Sequence, residues 1–407
     1  MVKIIHTSDW HLGQNFYHYN REEEYIDFFV QLHQLVAEEQ PDALLVCGDV
    51  FDQAAPPTWA VAMYNREMVK LKQAFPTLQV VVTAGNHDSP SRLSASGVLW
   101  QELGVTVMGT LPRTPEGSIE EERLIVPIRR NNEVVAWVLA VPYLYGGNLP
   151  PVEDDDSYPA RLSAFYKRLR KRVEGMRTAD QPVIAMGHFT LANCELAGHT
   201  AIIGNIEAVS SDEWAEEFDY TALGHIHRPQ HIGSPNVRYS GSVLPVSFDE
   251  PFPHSITVVE FEGDKMRQVR KREIRPLIEI CNVPDEHRPF DEVKQALLDF
   301  PADKRAYIRV KVLLEGITSP IMYEEALACL QGKAASLCLL HPVRCEAASS
   351  DSLSEEVISD WEVLQHVSPL DIALKAYREK YSGEEMPKEA QNCLQQLIEE
   401  SRLSVNE

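Results

Sequence analysis

The sequence predicts an α/β protein whose sheets pack in layers with helices outside, followed by a smaller α+β unit and a helical tail. Three observations carry this: short apolar runs alternate with helical patterns over the first 110 residues, strands predominate from about 123 to 272, and the texture changes to a shorter mixed unit after 275. At 407 residues the chain exceeds the usual span of one domain. The expected division is a catalytic domain over 1–275, an α+β cap over 276–345, and a linker with a helical tail over 346–407.

Taken in order, residues 2–5 read as a strand, 22–39 as a helix, 43–46 as a strand, 58–75 as a helix and 80–82 as a strand, which is βαβ organisation. Strands follow at 124–128, 134–141, 183–186, 220–223 and 256–261, interrupted by one strongly charged helix over 158–176. The second unit reads as strand 277–281, helix 290–299, strand 306–314, helix 322–331 and strand 337–340. Glu346-Ala347-Ala348-Ser349-Ser350 reads as a linker. Beyond it Leu370, Leu374, Tyr377 and Tyr381, then Ala390, Cys393, Leu394, Leu397 and Ile398, recur at helical spacing and predict a hairpin with an apolar face.

A composition of 44% hydrophobic and 24% charged residues argues against disorder. The opening residues turn polar too early for a signal peptide, and no apolar run approaches membrane-spanning length, so the expectation is a cytoplasmic protein without membrane contact. Seven widely spaced cysteines lack any C-x-x-C pair and indicate neither a disulfide framework nor a zinc ribbon. A formal charge of −23 disfavours non-specific attraction to a polyanion, although a local basic strip or bound divalent metals can reverse the sign where a substrate sits.

Five short motifs each follow a predicted strand: Asp9-Trp10-His11, Gly48-Asp49, Gly85-Asn86-His87-Asp88, Gly187-His188 and Gly224-His225-Ile226-His227. Ligands of open α/β sheets bind at that carboxyl edge. Residues two apart on an extended chain share a side, which would let Asp9 and His11, and His225 and His227, converge. Each motif alone reads as an ordinary turn. Together they offer two aspartates, one asparagine and four histidines, the mixed oxygen and nitrogen donors that a pair of divalent metals needs, with no cysteine to favour a soft metal.

In this order the motifs resemble those of the calcineurin-like metallophosphoesterases. The resemblance implies an αββα sandwich flanked by helices, with Asp9, His11, Asp49 and His227 on one divalent metal, Asp49, Asn86, His188 and His225 on the other, and Asp49 bridging. It implies manganese first, with magnesium, iron and zinc open. His87 would stabilise developing charge or protonate the leaving oxygen.

Within that family, the runs His6-Thr7-Ser8-Asp9-Trp10-His11-Leu12-Gly13, Gly48-Asp49-Val50-Phe51-Asp52, Val237-Arg238-Tyr239-Ser240-Gly241-Ser242 and Ser247-Phe248-Asp249-Glu250 are similar to those of bacterial DNA-nuclease subunits that work with an SMC-family ATPase. This implies phosphodiester hydrolysis by a hydroxide that two metals activate: 3′ to 5′ exonuclease action on double-stranded DNA and endonuclease action on single strands and hairpins, in recombination and repair. It also implies a DNA-contacting cap, docking of the ATPase on the C-terminal helices, and a homodimer of the nuclease subunit. Relatives from archaea and eukaryotes usually carry a catalytic histidine where this chain has Asp52, so Asp52 receives no catalytic role.

Arg168, Lys171 and Arg172 on the charged helix, and Arg270 and Lys271 further on, are candidate phosphate contacts, with a solvated or partner-facing surface as the equal alternative. The same cage would also serve a small-substrate phosphoesterase acting on nucleotides or cyclic nucleotides. From another class, a non-catalytic scaffold with a phosphoesterase fold is the third reading.

Overall fold

Alternate residues of the strand Val2–Thr7 enter two different cores, as the two-residue repeat of an extended chain requires: Val2 and Ile4 join one, Ile5 the other. The strand Ala43–Cys47 divides the same way, Ala43, Leu45 and Cys47 against Leu44 and Val46. The structure is a computed structural model describing residues 1–152, 155, 157–195, 209–210, 212–314, 320–344 and 387–388. Contacts divide the chain into two units, Met1–Cys345 and Glu346–Glu407. The helical hairpin expected within 346–407 lies outside the described residues, apart from 387 and 388.

One six-stranded sheet runs in the order Lys265–Glu273, Ser255–Glu262, Val2–Thr7, Ala43–Cys47, Gln79–Thr83, Val105–Met108, its last four strands parallel and its first two added antiparallel. The other runs Gln230–Ile232, Ser234–Tyr239, Tyr220–Gly224, Val183–His188, Glu133–Ala140, Ile125–Arg130, with parallel pairing through its middle four. The first core takes Ile4, Leu45 and Val81 from one sheet, Val138, Ala185 and Leu223 from the other, and Leu162, Phe165 and Leu169 from the helix Tyr158–Glu174. The second joins Ile5, Leu44 and Val80 to Phe28 and Leu32 of the helix Glu22–Glu39 and to Met63 and Leu71 of the helix Thr58–Ala74. The layers therefore run helices, sheet, sheet, helix, the αββα class expected. Parallel register sets Thr7 opposite Val46, Cys47 opposite Thr83 and His188 opposite Gly224, so the segments that follow leave each sheet at one edge.

Residues 265–272, weighed above as a phosphate track, form a charged edge strand, where lysine and arginine discourage pairing with another chain. Its arginines are partnered. Arg270 grips Glu39 through two bonds of 2.9 Å and Glu260 through one of 2.8 Å, Lys3 lies 3.2 Å from Glu39, and Arg272 bonds both Glu38 and Glu39. Arg270 above all, then Lys3 and Arg272, hold the Glu39 carboxyl down at about 2 against the opposing effect of its burial. A carboxyl depressed in the folded state contributes stability that is complete above its unfolded value and is lost as pH falls through the folded one. Resistance to urea unfolding should therefore fall as pH drops from about 4.5 to 2, and Glu39→Gln should flatten the profile in that window.

Residues 276–345 supply a parallel three-stranded sheet, Glu279–Pro289, Ala306–Leu314 and Ser336–Arg344, with the helices Phe290–Asp299 and Pro320–Cys329 as crossovers. Ile308, Val310 and Val312 alternate onto one face and form a separate core with Val293, Leu297 and Ala326 of those helices. From the other face Tyr307 stacks on Phe16 with ring centres 4.7 Å apart, and its hydroxyl donates to Glu24 at 2.9 Å. Glu24 in turn holds the fully buried guanidinium of Arg21. Arg309 reaches Asp249 at 2.7 Å. Among the described residues, no helix is long and apolar enough to cross a membrane.

Candidate metal centre

The five motifs meet where the strand ends of the two sheets converge. Asp9, His11, Asp49 and His225 all have left-handed backbone, with φ of 50°, 48°, 49° and 94°. The expectation that an extended chain aims Asp9 and His11 to one side is thus corrected: the loop curls, because the Asp9 amide donates to the Gly48 carbonyl and the His11 amide to the Asp49 carbonyl, each at 3.0 Å. Four strained residues at one spot mark a conformation that the surroundings enforce.

His11 groups with Asp52 and His87, and two further sets of donors form, Asp9 with His11 and His227, and Asp49 with His188 and His225, the atoms within each lying no more than 4.8 Å apart. Asp49 stands between them, its Oδ2 3.2 Å from His188 Nε2 and 3.9 Å from His11 Nε2, while its Oδ1 accepts the His87 amide at 2.9 Å. Asn86 Oδ1 lies 3.0 Å from His188 Nε2 and 2.9 Å from His225 Nδ1. All seven residues read as ligands from the sequence are brought together here. Gly85 permits the approach, since a Cβ there would fall 2.1 Å from Asp49 Oδ1. Gly85→Ala should displace Asp49 and weaken manganese binding by at least about tenfold, measured by metal titration.

The orientation of the rings tests whether cations fit. His188 Nδ1 donates to the Cys47 carbonyl at 2.9 Å, His227 Nδ1 donates to Glu250 Oε1 at 2.8 Å, and His11 Nδ1 lies 3.3 Å from Asp52 Oδ1. Those partners accept hydrogen bonds, so in each neutral ring the Nδ1 carries the hydrogen and Nε2 presents a lone pair. Yet His11 and His227 face one another Nε2 to Nε2 at 3.1 Å, and His188 Nε2 faces the Asp49 carboxylate. Acceptors converging on acceptors require positive charge between them. In the bare protein protons can provide some of it. Burial opposes the charging of His11, but Asp52, Asp49 and Asp9 raise it to about 9. Burial likewise opposes that of His188, which Asp49 above all raises to about 9. The Asp49 carboxyl is held well below the usual range by these histidines despite its burial. Divalent ions meet the same need, and carboxylate, amide and imidazole donors suit manganese, iron, zinc or magnesium.

His87 differs from the seven in being exposed. Its Nδ1 donates to the Asp52 carbonyl at 2.8 Å, and its ring packs edge-on to His11 with centres 5.0 Å apart. Three carboxylates around the centre carry roles that the sequence did not disclose. Glu250 and Asp52 face ligand histidines, and Asp88 accepts the amides of Gly85, Phe51 and Val50 at 2.8, 2.9 and 3.1 Å, tying two of the motif loops together. Asp88 had a signal in its motif, whereas Glu250 stands 23 residues from the histidine it holds.

Four of the five basic candidates are engaged. Arg168 and Arg172 both pair with Glu121, and Arg172 also bonds Glu122 at 2.6 Å; Arg270 is bound to Glu39 and Glu260; Lys271 donates to the Pro229 carbonyl at 2.9 Å. Lys171 is exposed. As phosphate contacts, the three arginines would first have to leave carboxylates.

Residues 2–229 match the family described as calcineurin-like phosphoesterase. Three curated relatives each bear the name of the SbcD subunit of the nuclease SbcCD. That of Rhodobacter capsulatus is 37% identical over 273 residues, 64% of this chain and 67% of its own. The Escherichia coli protein is 36% identical over 284 residues, 66% of this chain and 67% of its own. The Bacillus subtilis protein is 32% identical over 272 residues, 64% of this chain and 66% of its own.

Proposed function

This chain belongs to the calcineurin-like phosphoesterase family, and on that premise we propose that it is the nuclease subunit of an SbcCD-type complex, hydrolysing phosphodiesters of DNA. The observation that carries the reading is an exposed imidazole, His87, standing beside seven gathered donors that fit two divalent ions, most simply manganese. In the proposed reaction the enzyme acts as a 3′ to 5′ exonuclease on double-stranded DNA and as an endonuclease on single strands and hairpins. Its partner is an SbcC-like SMC-family ATPase, received by the segment 346–407, where the sequence predicts an apolar-faced hairpin, and the nuclease subunit works as a homodimer.

Two divalent ions, when bound, supply the positive charge that polarises the phosphoryl group and makes water acidic enough to attack it. The protein's part is positional. Asp9 is aimed by the His225 amide, which donates to its Oδ1 at 2.9 Å, and Asp49 by the His87 amide. His87 has its Nδ1 hydrogen committed to the Asp52 carbonyl, so its Nε2 is the atom that takes up and releases a proton. Protonated, Nε2 donates to the leaving oxygen of the scissile bond and removes the cost of expelling an alkoxide. Donors buried at the base and His87 at the rim fit a substrate that arrives from solvent as part of a long chain.

The test is cleavage of linear, single-stranded and hairpin DNA, with and without manganese and with and without the ATPase partner, beside a chromogenic phosphate ester. Manganese-dependent DNA cleavage is expected. Turnover of the ester with no cleavage of any DNA, partner present, would favour a small-substrate phosphoesterase instead.

A further inference from the structure

A row of rings leads from the metal centre to solvent. Tyr143 stands edge to face with His188, ring centres 6.1 Å apart, and Tyr145 stands edge to face with Tyr143 at 5.0 Å. Tyr143 is half-buried, whereas Tyr145 is 61% exposed, more than any other tyrosine, phenylalanine or tryptophan among the described residues. A perpendicular contact occupies at most one face of the Tyr145 ring, so at that exposure the other face is open to water. The turn that presents it is pinned. The buried Leu144 and Leu149 flank it in the first core. The Tyr145 amide donates to Asn148 Oδ1 at 3.2 Å and the Asn148 amide to the Tyr145 carbonyl at 2.9 Å. The guanidinium of Arg161 donates to the Gly146 carbonyl at 3.1 Å, and that of Arg113 to the Asn148 carbonyl at 3.3 Å. At its root the Tyr143 amide donates at 2.8 Å to the carbonyl of Ala84, directly before the Gly85-Asn86 motif. An aromatic ring held out on fixed backbone loses little freedom when a flat group stacks on it.

We propose that Tyr145 is a stacking platform for an unpaired nucleobase of the DNA strand whose phosphate lies at the metal centre, and that it favours single strands, frayed ends and hairpin loops as substrates. This rests on the nuclease reading above. An uncharged ring face gives nothing to a phosphate, and the flat group that accompanies a phosphodiester in DNA is the base. Within a duplex each base face is covered by its neighbours, so only an unpaired base can lie on a side chain. Two ring contacts separate Tyr145 from His188, which puts the platform within a few nucleotides of the reacting phosphate. Every base has such a face, so the platform selects unpaired structure and leaves sequence unread.

The experiment is steady-state cleavage of single-stranded oligonucleotides by the full chain, with manganese and the ATPase partner, for the unsubstituted protein, Tyr145→Ala and Tyr145→Phe. A nucleotide lacking its base is walked through the positions around the scissile bond. Tyr145→Ala should raise KM by about 5- to 100-fold with kcat little changed, because stacking on the bound strand is lost from ground and transition states alike. Tyr145→Phe, which keeps the ring, should stay within about twofold of the unsubstituted protein. At one position the missing base should cost the unsubstituted protein a similar factor and cost Tyr145→Ala nothing further. Tyr145 is exposed, so both variants keep the core, and manganese titration should give the unsubstituted affinity in each. Unchanged KM in Tyr145→Ala, an equal loss in Tyr145→Phe, or losses that multiply at every position of the missing base would overturn the inference while the nuclease reading stands. Failure of the unsubstituted protein to cleave any DNA would overturn that reading and the inference with it.

Discussion

His87→Ala is expected to lower DNA cleavage by about 10²- to 10⁴-fold, the usual contribution of a general acid, while manganese binding persists. Binding persists because His87 supports the centre through its main-chain amide, which donates to Asp49 Oδ1 and survives the substitution. Single-turnover cleavage at saturating manganese, beside a metal titration of the same variant, separates the two effects. A second readout distinguishes proton donation from simple charge stabilisation. An activated aryl phosphodiester expels its leaving group without needing a proton, so His87→Ala should slow that substrate far less than DNA. Equal losses on both would assign His87 to charge stabilisation, and undiminished DNA cleavage would remove it from the reaction.

Asp49→Ala should have the larger effect on metal, because its Oδ2 faces histidines of both sets, His11 and His188. Loss of affinity by more than about 100-fold for both ions is expected, beyond what an outer hydrogen-bonding partner contributes. Cleavage should fall to background with it. Asp9→Ala, on one set alone, should leave one ion bound. Metal analysis after gel filtration in micromolar manganese distinguishes these outcomes. Retention of two ions by Asp49→Ala would mean that another group bridges them.

The donors were legible because each follows a buried parallel strand and most stand beside a glycine that the close approach demands, so sequence order and strand edge together placed them. The left-handed backbone at Asp9 and His11 was not, since it arises from hydrogen bonds to Gly48 and Asp49, nearly 40 residues away. Glu250 escaped for the same reason: its partner is set by the folding of the 228–249 segment and by no local period. The strand Lys265–Glu273 lacks an apolar repeat because it lies at a sheet edge, and only tertiary pairing with Ser255–Glu262 defines it. The carboxylates that engage Arg172 and Arg270, Glu121 and Glu39, are 51 and 231 residues distant, so these pairings have no local signal. The contact of the three-stranded sheet with Phe16 and Glu24 joins segments some 290 residues apart and has no signature in either.

The central claim is that the strand-end motifs form one two-metal centre. Anomalous diffraction at the manganese edge, from crystals grown with the ion, tests it most directly. The account predicts two peaks about 4 Å apart, one coordinated by Asp9, His11 and His227, the other by Asn86, His188 and His225, with Asp49 bonded to both. A single peak away from Asp49, or none at these residues, would contradict it.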